Sequence, residues 1–121
     1  MDVFEPAKLP LPRDASGHGY IDFFTARNLS VGYVIWPAGA EDLQQPHRED
    51  EVYYIVSGKA VVRIGGEETR VGPGSVIYVG AGVVHRFLRI EEDLRAVVFW
   101  APPHTPSPPE ASSKSPSGVG A

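Results

Sequence analysis

The chain has no cysteine and a single methionine among its 121 residues. Without cysteine there can be no disulfide, no thiolate metal site and no cysteine nucleophile. Any metal must be held by imidazole, carboxylate, amide or water, and the absence of a disulfide framework is compatible with a reducing compartment. There is no basic run either: 11 Lys+Arg and 15 Asp+Glu are scattered, for a net charge of -4. A phosphate-neutralising surface for nucleic acid is therefore not expected. No apolar run approaches the ~20 residues of a membrane helix. The start, Met-Asp-Val-Phe-Glu-Pro, is acidic and lacks the apolar core of a secretion signal. Together these absences predict a soluble, cytoplasmic protein with no nucleic-acid or membrane partner. Nucleotide-binding loops, a nucleophile elbow and a helix-turn-helix segment are missing as well.

Hydrophobic residues make up 42 % of the chain, enough for one buried core and too short a chain for a second. Residues 1–17 read as an N-terminal arm, because Pro6, Pro10 and Pro12 prevent regular helix and Ser16-Gly17 marks a turn. Residues 18–102 form the expected domain. Short runs rich in Val, Ile, Tyr and Phe occupy Leu29–Trp36, Val52–Val56, Lys59–Ile64, Val76–Val79, His85–Ile90 and Leu94–Trp100. Glycine and proline separate them at Ala38-Gly39, Ser57-Gly58, Gly65-Gly66, Gly72-Pro73-Gly74 and Gly80-Ala81-Gly82. That pattern predicts an all-β sandwich or barrel, with at most a short helical turn near Arg48–Asp50. Gly65-Gly66 reads as a hairpin turn leading into Glu67–Val71. Leu94–Trp100 is apolar on both faces and so requires an outer cover, either the arm or a second subunit. Residues 103–121 are rich in Pro, Ser and Gly, have little to bury, and are expected to be a disordered tail that includes His104.

Side chains on a strand alternate between faces. If the chain is extended before Tyr53, then Gln45, His47, Glu51, Tyr53 and Ile55 share one face, with Glu49 a weaker substitute ligand on the same parity. A glycine-rich turn delivers His85 to the start of a later strand, and Phe87 and Arg89 follow on its parity. Gln45, His47, Glu51 and His85 are thus the candidate metal ligands. Two imidazoles and a carboxylate with open positions suit Fe(II), Mn(II), Ni(II) or Zn(II). Glu51 could instead act as a catalytic base. Tyr33, Trp36, Tyr53, Tyr78 and Phe87 are candidates for lining a substrate pocket, and Arg89 for binding a substrate carboxylate.

Both segments resemble the two motifs of the cupin superfamily. In the first, His47, Glu51 and Gly58 match, and Gln45 stands where that family has its first histidine. In the second, Gly74, Gly82 and His85 match, while Ser75, Gly80 and Arg89 replace the family's aspartate, proline and asparagine. The resemblance spans Leu29 to Trp100. It implies a double-stranded β-helix, the jelly-roll cupin barrel, assembled as a homodimer. It also implies a divalent transition metal in the barrel, with Gln45 a weaker ligand than the histidine it replaces. The expected function is a metal-dependent enzyme on a small organic substrate, a dioxygenase or isomerase. The alternatives are a metal-free barrel that binds a small molecule, or a structural or regulatory dimer with a vestigial site.

Overall fold

The computed structural model describes residues 1–105. After a short 3-10 turn at Pro6–Lys8, the chain forms β1 (Gly19–Thr25), β2 (Ser30–Trp36), β3 (Asp50–Ile64), β4 (Glu67–Val71), β5 (Val76–Val79) and β6 (His85–Ala101). Strand pairing runs β1-β2-β6-β3-β4, with β5 also on β3, and every pair is antiparallel. The long strands β3 and β6 pair along most of their length and carry the other strands at their ends.

Period-two alternation builds the core. Val34 and Trp36 of β2, Tyr53, Ile55, Ala60 and Val62 of β3, and Ile77 and Val79 of β5 point inward. Phe87, Ile90, Leu94, Ala96, Val98 and Trp100 of β6 complete the interior.

The separator at Ser57-Gly58 does not end a strand, and neither does the acidic stretch Glu91-Glu92-Asp93 between two of the expected runs. Val52–Val56 and Lys59–Ile64 are one strand, as are His85–Ile90 and Leu94–Trp100. The ladder between β3 and β6 instead slips at Ile55/Ser57, Ser57/Lys59 and Lys59/Val61. These bulges bend both strands so that each serves both ends of the barrel. Gly58 makes this possible: its φ is 97, and a Cβ there would lie 2.2 Å from the Asp93 carbonyl oxygen. Strand β1 lies outside the expected runs, because a bulge between Asp22 and Phe24 breaks its alternation.

The arm lies along β1. Arg13 pairs with Gly19, and Phe4 packs on Phe23 and Phe24 at 5.1 and 5.2 Å. Of the expected tail, residues 106–121 lie outside the described residues. The part described is packed: the His104 backbone N–H donates to Ser30 Oγ at 2.7 Å, and its ring stacks on Trp100 at 4.0 Å. No helix among the described residues is long and apolar enough to cross a membrane.

Candidate metal centre

The site is assembled by the starts of two strands, β3 and β6, and the loop that precedes β3. Glu51 starts the inward face of β3 and is fully buried. His47 comes from the loop just before it, and His85 opens β6. The loops are tied to each other and to β3. Gly82 N–H donates to the His47 carbonyl at 2.7 Å, and Ala81 N–H donates to Asp50 Oδ1 at 2.9 Å. The glycine-rich turn that delivers His85 is therefore pinned to the segment that carries His47 and Glu51.

Glu51 Oε1 lies 2.9 Å from His47 Nε2 and 3.2 Å from His85 Nε2. One ligand atom from each of the three residues lies within 4.8 Å of the others. Donors ~2.1 Å from a shared ion are separated by roughly 3.0–3.4 Å when adjacent, so the two Glu51 contacts already have that spacing. The other ring nitrogens face outward to backbone carbonyls: His47 Nδ1 is 3.3 Å from Glu49 O, and His85 Nδ1 is 3.0 Å from Val83 O. This is the outer-shell pattern that fixes tautomer and ring orientation in metal-ligating histidines. Glu51 Oε2 is buried and has no hydrogen-bond partner among the described residues. A buried carboxylate oxygen left unpaired is costly, and a cation would satisfy it. The residues present fit a divalent ion.

The electrostatics of Glu51 agree with that fit, whereas on His85 a proton competes with an ion for the ring nitrogen. Burial pushes the Glu51 pKa up, but hydrogen bonds from His47 and His85 outweigh it and hold the carboxyl below its usual value. Burial works against charge on His85, yet Glu51 and the Val83 carbonyl prevail and raise its pKa. Glu51 is thus held as an anion, which suits a ligand; a general base works best with its pKa raised toward neutrality.

Several candidate residues lie elsewhere. Gln45 is exposed, and its amide donates to the Leu43 carbonyl at 3.4 Å. The parity argument fails there because residues 40–47 are loop, not strand. The inward amide belongs to Gln44, whose Oε1 is 3.1 Å from His85 Nε2. Glu49 is buried behind His47, with Oε1 3.8 Å from its Nδ1. Arg89 falls in the bulged part of β6 with φ 46. The bulge turns it outward, to 63 % side-chain exposure beside Glu68. Tyr78 is also outside, 61 % exposed, with its hydroxyl on Asp50. Tyr33 is buried, but on the face of β2 opposite Val34 and Trp36. Tyr53, Phe87 and Trp36 are inside and form a chain of rings, each step 5.1 Å.

Three residues that the sequence reading passed over border the site. Trp100 packs edge-on against His47 at 4.6 Å, a position set by its register opposite Glu51. Asp42 and Gln44 are both buried. Burial raises the Asp42 pKa, opposed by N–H donors from Phe87 and Gln44. Polar residues spaced by two in a loop gave no periodic signal strong enough to assign them inward.

Residues 32–102 match the cupin domain family. The chain belongs to that family. It is a small single-domain cupin, as its motifs predicted. It is 46 % identical over 105 residues to an uncharacterized protein of Streptomyces coelicolor, covering 87 % of this chain and 100 % of that one. Among solved structures, the KdgF protein of a Halomonas species superimposes with a TM-score of 0.74 at 20 % identity, covering 84 % of this cupin and 94 % of that chain. An RmlC-like cupin from Shewanella frigidimarina gives 0.72 at 18 % identity, covering 82 % and 88 %. At such identities these structures establish the double-stranded β-helix fold and nothing finer.

Proposed function

We propose that this cupin is a metal-dependent enzyme acting on a small organic substrate, of oxygenase or isomerase type. In this reading His47, Glu51 and His85 hold one divalent transition ion, Fe(II), Mn(II), Ni(II) or Zn(II). The observation that carries it is the buried carboxylate of Glu51: its Oε1 lies 2.9 and 3.2 Å from two imidazoles whose outer nitrogens are tied back to carbonyls, and its Oε2 has no hydrogen-bond partner among the described residues. Such an ion supplies Lewis-acid polarisation or an open coordination position for a reactant. The protein's part is to orient and to exclude water. The side chains of Glu51 and His85 are 0 % exposed and that of His47 is 13 % exposed, so a reactant arrives from the His47 side. Trp100 walls that approach, and Tyr53 and Phe87 make the interior behind it apolar.

The test is elemental analysis of protein purified without a metal-affinity tag, repeated on His47→Ala and His85→Ala. Near-stoichiometric metal that is lost in both variants supports the reading. Failure to take up any of the four ions sinks it. A metal-free binding barrel is the second reading, favoured by the direct approach of Glu51 Oε1 to both histidine Nε2 atoms at 2.9 and 3.2 Å. A co-purified organic compound without metal would select it.

The same proposal includes a homodimer. On the outer faces of β3, β5 and β6, Tyr78, Val52 and Phe99 form one cross-strand row and Val76, Tyr54 and Val97 the next. Tyr54, Val76, Tyr78 and Phe99 are all exposed, and apolar sheet faces of this kind are characteristic of interfaces. Light scattering that gives the monomer mass, unchanged in Tyr54→Glu, would remove this element.

A further inference from the structure

Gln44 is only 6 % exposed, although glutamine is mostly a surface residue. Its surroundings fix which way its amide points. Nε2 donates to Asp42 Oδ2 at 2.7 Å. Asp42 also accepts from the backbone N–H groups of Gln44 at 3.0 Å and Phe87 at 2.7 Å. A carboxylate accepts and does not donate, so the amide nitrogen must face Asp42 and the oxygen must face away from it. That oxygen, Oε1, accepts from the Tyr53 hydroxyl at 3.1 Å and lies 3.1 Å from His85 Nε2. The same His85 nitrogen is 3.2 Å from Glu51 Oε1. With Tyr53 on one lone pair, the amide oxygen still has a second, for the side of His85 Nε2, the nitrogen that also meets Glu51.

We propose that Gln44 Oε1 is a fourth protein donor to the ion, and that Asp42 and Tyr53 are positioning residues that hold this oxygen inward. The inference rests on the metal-centre reading above. Gln45, which takes the histidine's place in the motif, has no part in it. The donor set becomes two imidazoles, a carboxylate and an amide oxygen. An amide oxygen is a harder ligand than imidazole, so the site is shifted toward harder ions such as Mn(II) relative to a site with a third histidine.

The experiment uses the full chain and Zn(II). Affinity is measured by competition with a chromophoric chelator, and the side-chain amide of Gln44 is followed by 15N–1H NMR, assigned through its side-chain carbons in 13C,15N-labelled parent protein. The expected result is a shift of that signal on Zn(II) binding. Affinity should fall on the order of ten- to hundred-fold in Gln44→Leu, and Gln45→Ala should bind like the parent. Asp42→Asn should weaken binding too. It contacts no ion, but it replaces with an NH2 group one of the two carboxylate oxygens that hold the Gln44 amide and backbone nitrogens. If Gln44→Leu does not fold, the NMR shift in the parent protein decides alone. An unshifted amide, or parental affinity in Gln44→Leu while His47→Ala abolishes binding, overturns the role of Gln44 and leaves the three-residue site standing. A parent protein that takes up no metal overturns both.

Discussion

Replacing Gly58 by alanine tests whether the bend in β3 is what lets the barrel close. Two costs add at this position. The first is backbone conformation: a non-glycine residue at φ 97 is strained by about 1–3 kcal/mol. The second is steric. The new Cβ would lie 2.2 Å from the Asp93 carbonyl oxygen and 2.7 Å from Leu94 Cα. Both are backbone atoms of β6 and neither can rotate aside. Such overpacking costs about 1–3 kcal/mol. Gly74 supplies the control, because its φ is 90 and a Cβ there meets nothing within 4 Å. Gly74→Ala should therefore show the first cost without the second. The assay is urea and thermal denaturation followed by tryptophan fluorescence, since Trp36 and Trp100 are both in the core. Gly58→Ala should lie about 1–3 kcal/mol below Gly74→Ala, a further drop in Tm on the order of 5–20 °C. Equal destabilisation by the two substitutions would refute the reasoning. It would mean that β6 can move away from Gly58 at no cost.

Further outcomes follow from the same geometry. A bound ion that recognises only the folded state should raise stability by about 2.7 kcal/mol at a hundredfold excess over Kd; chelator titration of the Tm checks this, and the chelator should have no effect on His47→Ala. Asp50→Ala removes the acceptor for Ala81 N–H and the Tyr78 hydroxyl. It should cost about 1 kcal/mol in urea unfolding and weaken metal uptake through the loosened turn, whereas Tyr78→Phe should leave uptake intact. Trp100→Ala empties a fully buried site beside His47 and should cost about 3–5 kcal/mol by denaturation. His18 packs against Trp36 at 5.4 Å, and burial lowers its pKa from 6.5 despite the nearby carboxylates of Asp14 and Asp42. A histidine with a depressed folded-state pKa contributes stability above its unfolded pKa, and that contribution is lost as pH falls through the folded value. Urea midpoints of the parent relative to His18→Gln should therefore decline on acidification below pH 6.5, and a constant difference would contradict this.

The sequence by itself determined the fold class, because alternation of apolar residues between glycine-rich breaks permits little else. It also singled out His47, Glu51 and His85 as candidate ligands, since their spacing from Gly58 and Gly82 follows the two cupin motifs. What it left undecided depends on whether a segment is strand, bulge or loop. Parity predicts facing only where the strand is regular. Residues 40–47 are loop, so Gln44 rather than Gln45 turns inward. The bulge in β6 does the same to Arg89, sending outward a residue that strict alternation would place beside His85 and Phe87. Register is equally invisible to a single strand. Trp100 reaches His47 only because β6 pairs with β3 so that Trp100 lies opposite Glu51. Tyr33 and Tyr78 are aromatic residues on strands with two apolar faces, and only the packed barrel decides which face is inside. Local motifs named the candidate ligands, and long-range pairing decided what surrounds them.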